Sequence, residues 1–431
     1  MGRARVYVVL GTHLQHEDQL EGLERQMSAS GLTSDTDVAV PGRLARRWSL
    51  SRSVRLPLPA TAAVVYLGIR VLQLIVVAFL LRHGAYQRAH VSLEQWIIGG
   101  DGAFYRGIAA HGYDHELIQL TNSSVFASFP GYPAAIDSLA WLPGISIASA
   151  GFAVTILAGL AAAWGLTTLG LKLTADSRIS LIMVAIWAVA PGCIALSRVH
   201  SEALFCALAV WALVALIDRR WLTAGILVML AGTVRSTALA LVAAVVVAVV
   251  LALIEAARTR QRIGVWWRPV AALLLAPLGM LGYWAYVAWA THRPTGWFWI
   301  EEHRFHTSFD WGTSTIRVIS DTFLGRTSVA GLLVVSAILG AVALTAWSLT
   351  ERIPVYLHVY TVVVAVVAFT ISANWLSEKP RYFLPAVLLA LPVARLLAPL
   401  RTSVLVPLIV VFTLASTWIG VYLLVIAGWA S

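Results

Sequence analysis

One aspartate stands out among the residues that could do chemistry, because glycines surround it closely. Asp101 lies in the sequence Gly-Gly-Asp-Gly at 99–102, and Tyr105 and Ile108 follow it at helical spacing. Glycines let a backbone approach a ligand closely, and the spacing predicts a short amphipathic helix at a membrane surface. Asp101 is therefore either the N-cap of that helix or a general base held at the membrane surface. The residue type alone leaves both roles open.

Two arginines, Arg235 and Arg381, lie in short polar interruptions of the apolar sequence, Thr-Val-Arg-Ser-Thr at 233–237 and Glu-Lys-Pro-Arg at 378–381. An ionisable group at a membrane edge is a functional hypothesis by default. Because the planar guanidinium can hold two phosphate oxygens, Arg235 and Arg381 are the candidates for binding a lipid phosphate. Glu202 either positions an acceptor or Arg235, or is a charge at a helix N-terminus. His200 either binds phosphate when protonated or is a surface histidine.

A metal site is the other chemistry that the polar residues suggest. The candidates are His303, His306, Glu301, Glu302 and Asp310. Their spacing matches no strong ligand motif, and the two cysteines lie in apolar stretches where small core residues are expected. We therefore expect no metal. The nearby tryptophans, such as Trp297 and Trp311, are typical of anchors at a membrane interface.

The composition indicates which elements must position these residues. The chain has 431 residues, of which 59% are hydrophobic and 12% charged, and its mean hydropathy is +0.80. A soluble domain carries about 25% charged residues, so the composition excludes a soluble enzyme and predicts an all-α polytopic membrane protein. The net charge is +10, but arginines cluster at the ends of apolar runs, where they set topology rather than bind nucleic acid. Lysine occurs only twice, which indicates a GC-rich genome such as that of an actinobacterium.

The distribution of arginines predicts the topology. Residues 1–55 are expected to form a flexible cytoplasmic tail, and 56–431 a transmembrane domain of about 11 helices. Parity requires 133–148 to be a re-entrant or interfacial helix rather than a full span. Among the later spans, the pattern places helices at 180–197 and 382–396. This topology sorts the unusual polar residues onto one extracytoplasmic face of the plasma membrane; they are Asp101, the segments 200–202 and 378–381, Arg235 and the loop 291–326.

Four motifs, in order, give the chain a resemblance to a known family. The first loop matches at Asp101, Tyr105, Ile108, Ala109, Gly112, Tyr113, Phe129, Pro130, Tyr132 and Pro133. Further matches are Ser201-Glu202-Ala203-Leu204-Phe205, the segment 231–237 around Arg235, and Pro380-Arg381-Tyr382. Together they resemble the PIG-V-like family of GT-C mannosyltransferases. The sequence departs from the family pattern at Gly100, where tryptophan is usual, and at Ala238, where glycine is common.

The resemblance implies a GT-C-like bundle with interfacial helices in a long first extracytoplasmic loop. It also implies an inverting mannosyltransferase that uses a polyprenyl-phosphate-mannose donor and a lipid-linked glycan or glycolipid acceptor. Asp101 is then the general base, and Arg235 and Arg381 bind the donor phosphate. Substrate positioning is expected of Tyr105, Tyr113, Tyr132, His200 and Glu202. No cofactor is expected, because the lipid-linked sugar is itself the substrate.

Other functions remain open from the sequence. Arabinose and other polyprenyl-linked sugars use the same architecture, and a fold does not define a function. A lipid or solute transporter is a second class, although transporters often show inverted repeats and midplane polar residues, and here we find no repeat. A non-catalytic scaffold with the same shell is the third. The sequence indicates no oligomeric state.

Overall fold

The computed structural model describes residues 57–114, 118–119, 121–259, 267–372 and 376–427. Within these ranges the regular structure is helical, apart from one isolated antiparallel bridge between Phe309 and Ile371. The expectation of an all-α fold is confirmed. Residues Leu56–Ser431 form one compact unit, whereas the flexible tail expected at 1–55 lies outside the described residues.

The helices follow one another along the whole described chain. In the first half they are α1 (Leu58–Leu81), α2 (Leu93–Ile98), α3 (Asp101–His111), α4 (Gly131–Ala140), α5 (Ile147–Thr174), α6 (Ser177–Val189), α7 (Glu202–Ile217), α8 (Trp221–Gly232) and α9 (Leu239–Arg258). In the second half they are α10 (Trp267–Leu275), α11 (Leu278–Thr291), α12 (Gly296–Arg304), α13 (Thr313–Phe323), α14 (Val329–Ser348), α15 (Val355–Thr370), α16 (Ala390–Leu397) and α17 (Thr402–Val421). Tighter or wider turns include Gly84–Ala89, Ser124–Ala127, Cys193–Ser197, Ser236–Ala238, Leu376–Phe383, Val387–Leu389 and Tyr422–Ala427.

Six stretches of the described chain are helical, long enough and apolar enough to cross a membrane. They are α1, α5, α9 with the turn before it, α10 joined to α11, α14, and α17 with the turn after it. A helix of about 20 residues matches a hydrocarbon core of about 30 Å. Five shorter apolar helices lie at Ser177–Val189, Glu202–Ile217, Trp221–Gly232, Val355–Thr370 and Val387–Leu397. The chain is a multi-pass membrane protein.

The span expected at 180–197 is wrong in its second half. Helix α6 ends at Val189, and the chain continues through Pro191 and Gly192 into the 3-10 turn Cys193–Ser197. Proline lacks the backbone donor that a continuing helix needs. The apolar character of the segment conceals this break, because the turn is as buried as a helix would be.

The span expected at 382–396 is also wrong at its start. The chain passes through two 3-10 turns and becomes an α-helix only at Ala390. The two broken segments touch each other: a Cβ on Gly192 would lie 2.6 Å from the Cα of Arg381. Gly192 also has a φ of +83°, which favours glycine. The breaks therefore bring the backbone of 190–198 directly against the turn that carries Arg381.

The first loop is anchored to the same region. The backbone N–H of Val199 donates to the carbonyl of Ile97 at 2.8 Å, which attaches the end of α2 to the segment before α7. Gly100 follows with a φ of +62° and turns the chain into α3. The short amphipathic helix predicted after Asp101 is therefore present as α3, and its first turn faces the segment 198–202.

The segment 133–148 contains one short helix. Helix α4 has 10 residues, which is about 15 Å of helix and too short to cross the hydrocarbon core. The N–H of Gly131 donates to the carbonyl of Thr233 at 2.7 Å, so the start of α4 lies against the end of α8. This contact joins the first loop to the segment that carries Arg235.

Candidate active site

Asp101 is the first residue of α3, and its carboxylate pairs with an arginine from the far end of the chain. Its Oδ2 lies 2.8 Å from a terminal nitrogen of Arg381. Gly100 is the N-cap of the helix, and the cap makes no side-chain hydrogen bond. The alternative that Asp101 is an N-cap is therefore wrong. Because the Asp101 side chain is 38% exposed, one side of the carboxylate stays accessible.

Arg381 is held by three carboxylates at once. Besides Asp101, its guanidinium contacts Glu378 at 2.7 Å and Glu202 at 3.5 Å. Its side chain is only 14% exposed, and it lies over the ring of Tyr382 at 5.7 Å. The proline-containing turn Leu376–Phe383 brings Glu378 and Arg381 to the same side, because they are three residues apart.

Arg235 forms the second cationic point of the site. It precedes the turn Ser236–Ala238 in an extended conformation, and donates to Glu202 Oε1 at 2.9 Å and to Ser201 Oγ at 3.0 Å. Glu202 therefore lies between the two arginines and is also the first residue of α7, so its position agrees both with contact to Arg235 and with a charge at a helix N-terminus. The hydroxyl of Tyr105 is 3.0 Å from Ser201 Oγ, which connects α3 to the same group.

Glu202 carries an unusual buried atom. Its side chain is 1% exposed, and both arginines approach Oε1. Its other oxygen, Oε2, is buried without a hydrogen-bond partner in the described structure. A buried carboxylate oxygen left without a donor is costly. The site therefore offers a free acceptor next to two guanidinium groups.

Arg198 belongs to the site, although sequence reasoning did not single it out. Its guanidinium donates to the carbonyl of Trp96 at 2.8 Å and to that of Gly99 at 3.1 Å. It also lies over the Trp96 ring at 5.5 Å. Arg198 thus fixes the backbone immediately before Asp101. The available signal was a lone arginine between an apolar segment and the polar residues at 200–202.

His200 is buried rather than on the surface, so the surface alternative is wrong. It is 1% exposed, and its Nε2 lies 3.4 Å from Arg198. Burial, together with the neighbouring Arg198 cation, lowers the pKa of His200 to about 4. The ring is therefore neutral at pH 7 and adds no positive charge for a phosphate.

The electrostatics of the cluster keep Asp101 ionised. Burial raises the pKa of Asp101, but the Arg381 guanidinium outweighs burial and holds this pKa well below its usual range. Burial has the opposite outcome at Glu378, where it raises the carboxyl pKa in spite of the same arginine. Of the two carboxyl groups that share Arg381, Asp101 is therefore the stronger acid and Glu378 the weaker.

An apolar groove opens onto this cluster. It has a volume of about 370 Å³ and lies between the broken segment after α6, the helices α14 and α17, and the turn Leu376–Phe383. Its charged end is lined by Arg198, His200, Glu378 and Arg381. The remaining lining is apolar or small, including Leu333, Ala337, Phe412 and Ala415. The shape suits a ligand with an apolar tail and an anionic head.

Two other predicted residues lie away from the paired charges. Tyr132 is fully buried, and its hydroxyl contacts Thr155 at 2.6 Å and the Gly151 carbonyl at 3.0 Å. Tyr113 donates to the Ser128 carbonyl at 2.5 Å and stacks on the ring of Phe126. The two tyrosines support the first loop through packing.

Two of the residues considered for a metal site have other partners. Asp310 accepts from the backbone N–H groups of Gly312 and Ser314, and His303 stacks on Trp299. Among the described residues, no three His, Cys, Asp or Glu side chains are grouped so that they could hold a metal ion.

Comparison with known proteins finds similarity at the level of structure. No protein-family model and no curated protein matches the chain. Among solved structures, a crystal structure of ArnT from Cupriavidus metallidurans bound to undecaprenyl phosphate is similar, with 14% identity and a TM-score of 0.47. The likeness covers 78% of this chain and 60% of that chain, so this chain spans less than two thirds of the neighbour's length. A TM-score below 0.5 at this identity does not establish a shared fold.

Proposed function

We propose that this protein is a membrane glycosyltransferase of the GT-C type that uses a polyprenyl-phosphate-linked sugar. One observation carries the proposal: the carboxylate of Asp101 lies 2.8 Å from Arg381 at the charged end of an apolar groove. Transfer from a lipid phosphate needs a base for the acceptor hydroxyl and cations for the departing phosphate. Both groups are present at one place.

The donor is accommodated in two parts. The isoprenoid chain occupies the apolar groove between α14 and α17, and the phosphate binds the guanidinium groups of Arg381 and Arg235. Arginine suits this role because its fork holds two phosphate oxygens. As the bond between the anomeric carbon and the phosphate oxygen breaks, its electron pair leaves with the phosphate, and the arginines stabilise that charge. These cations supply the charge that a metal provides elsewhere, so no metal cofactor is needed.

The acceptor hydroxyl loses its proton to Asp101 while its oxygen forms the new bond to the anomeric carbon. Direct displacement from the face opposite the phosphate inverts the anomeric configuration. Phosphate binding takes over part of the Arg381 charge that holds the Asp101 pKa low. The donor therefore raises the basicity of Asp101 when the base is needed.

The sugar and the acceptor follow from the resemblance described above. Mannose is the proposed sugar, with another polyprenyl-linked sugar such as arabinose as the alternative. The proposed acceptor is a lipid-linked glycan or glycolipid, and the site faces the extracytoplasmic side of the plasma membrane. Tyr105, His200 and Glu202 are proposed to position the substrates, because all three lie at the cluster.

The test uses the purified full chain in lipid vesicles with synthetic polyprenyl-phosphate-mannose carrying a labelled sugar, and a panel of glycolipid acceptors. Asp101→Asn is compared with wild type and with Asp137→Asn, a control aspartate exposed on α4. Loss of a general base lowers the rate by roughly 10²–10⁴-fold, so we expect that loss in Asp101→Asn and full activity in the control. Equal transfer by wild type and Asp101→Asn would remove Asp101 as the base. Movement of labelled lipid across the vesicle without transfer would support a transporter instead.

A further inference from the structure

Two neighbouring glutamates on α12 have different environments. Ile300 is 1% exposed, and Glu301 beside it is half-buried, whereas Glu302 is exposed. Of the two neighbouring carboxyl groups, only that of Glu301 is therefore partly buried. The reaction proposed above gives Glu301 no role, and an inward carboxyl on an outer loop requires an explanation.

Helix α12 packs on the first loop at the face that carries Asp101. Asp101, Phe104 and Ile108 are spaced three and four residues apart, so they share one face of α3. Ile300 belongs to the same buried apolar cluster as Ile108, and the ring of Phe305 meets that of Phe104 at 5.9 Å in an edge-to-face contact. Glu301 lies one helical turn before Phe305, as Asp101 lies one turn before Phe104, so the meeting of the two rings brings this end of α12 to the side of α3 that carries Asp101.

The Glu301 carboxyl is not paired with the charges of the site. Within the described residues no ion pair or hydrogen bond reaches this carboxyl. Burial raises the pKa of Glu301 to about 8, the Asp101 carboxylate raises it further, and Arg235 and Arg381 lower it. The charges of all three site residues thus act on Glu301. At neutral pH it is largely a carboxylic acid, which can both donate and accept a hydrogen bond.

The position identifies the part of the substrate that Glu301 faces. During transfer the anomeric carbon lies between the acceptor oxygen at Asp101 and the phosphate at Arg381. Because the ring of Phe305, one turn after Glu301, meets that of Phe104, one turn after Asp101, the geometry points to Glu301 on the side of α3 where the sugar ring would lie. A neutral carboxyl matches a sugar hydroxyl, which also donates and accepts hydrogen bonds, and it offers little attraction to a phosphate.

We infer that Glu301 binds a hydroxyl of the transferred sugar and so determines which sugar is accepted. This inference rests on the proposed glycosyl transfer. It adds a substrate contact from the loop 291–326 to a site otherwise built from the first loop and the membrane helices. Glu301 takes no part in moving the reacting proton.

The test compares donors that each lack one sugar hydroxyl. Wild type, Glu301→Gln, Glu301→Ala and the control Glu302→Gln are assayed with polyprenyl-phosphate-mannose and with its 2-, 3-, 4- and 6-deoxy forms. A lost hydrogen bond of typical strength corresponds to roughly tenfold in kcat/KM. We expect the kcat/KM of wild type and of Glu302→Gln to fall by about this factor with one of the deoxy donors. With the mannose donor, the kcat/KM of Glu301→Ala should be roughly tenfold lower than that of wild type. On that same deoxy donor its kcat/KM should fall by less than about twofold further.

The outcomes separate the two proposals. If wild type transfers mannose but Glu301→Ala loses activity equally on every deoxy donor, Glu301 does not contact a sugar hydroxyl, and only this inference is overturned. If wild type transfers no sugar from any polyprenyl-phosphate donor, the proposed function fails and the inference with it. Glu301→Gln preserves the side-chain shape, so its discrimination among donors tests the contact even where Glu301→Ala is poorly folded.

Discussion

At the scale of single residues, the site is a set of charges that restrain one another. Arg381 lies within 2.8 Å of both Asp101 and Glu378, and Glu202 is shared between Arg381 and Arg235. In such a cluster each group sets the protonation state of its neighbours. The resting state keeps the proposed base ionised but weak, because the cation that should bind phosphate is bound to it.

This restraint predicts a shift in the pH profile. Asp101 must be ionised to accept a proton, so activity falls as pH drops through its pKa. Arg381 holds that pKa low against burial. Arg381→Gln removes the cation, so the pKa of Asp101 rises and the acid limb of the kcat/KM profile moves to higher pH. The measurement is kcat/KM for the donor from pH 3 to 9 at saturating acceptor; wild type should stay level across this range, whereas Arg381→Gln should lose activity toward its acid end.

Arg106→Gln provides the control for that profile, since Arg106 lies on α3 one turn beyond Asp101 and bonds only to the Gly102 carbonyl among described partners. Its acid limb should coincide with that of wild type. An unchanged acid limb in Arg381→Gln would mean that the arginine does not control the protonation of the base.

At the scale of elements, two broken helices build the site. The chain after α6 and the chain before α16 both leave the helical conformation, and their backbones meet at Gly192 and Arg381. Irregular backbone at membrane depth is tolerated where it is buried in protein or lines a cavity. Here it lines the groove and presents Arg198 and Arg381 at the charged end.

Gly192→Ala is predicted to damage donor binding through this contact. Its Cβ would lie 2.6 Å from the Arg381 Cα, and its φ of +83° is strained for alanine, at a cost of about 1–3 kcal/mol. Gly144 has the same φ of +83° with open space around it, so Gly144→Ala carries the strain without the contact. Both variants should unfold at lower temperature in detergent, but only Gly192→Ala should raise the donor KM. Equal donor KM values would show that the contact does not position Arg381.

The sequence predicted the site better than the elements that build it. Asp101, Glu202, Arg235 and Arg381 were expected on one face, and the structure places them in one cluster. Polar residues in apolar sequence are conspicuous, because burying charge requires a reason. The break at Pro191 and the buried state of His200 could not be predicted in the same way. Both depend on packing between distant segments, which an apolar run does not reveal.

Glu301 is a second residue whose environment could not be predicted from the sequence. On the sequence it is one of several acidic and histidine residues in a polar outer loop, and the metal hypothesis treated them together. Only the packing of α12 and the following Phe305 against the first loop separates Glu301 from its exposed neighbour Glu302. Helical spacing predicts which residues share a face, but it does not predict which face meets the first loop.

At the scale of the whole molecule, the groove connects the charged site to the apolar surface of the membrane helices. Its volume of about 370 Å³ lies between α14 and α17, and the surface of the spans outside it exposes large apolar side chains such as Val342 and Val411. A lipid chain can therefore pass from the bilayer to the charged end without contact with water. The apolar tail then contributes affinity in proportion to its buried area.

Ala337→Phe is predicted to separate recognition of the tail from recognition of the head. Ala337 lines the groove from α14, and a phenyl ring there fills space that the proposed isoprenoid chain occupies. Each CH₂ kept out of the groove costs about 0.8 kcal/mol, so excluding even two of them raises the KM of a long-chain donor by roughly tenfold. A donor with a single-isoprene tail should keep its KM, because its chain ends near the charged end. Ala343→Phe, on the exposed side of the same helix, should leave both donors unchanged. If Ala337→Phe impaired long and short donors equally, the groove would not be the path of the lipid chain, and the site would take its donor from another direction.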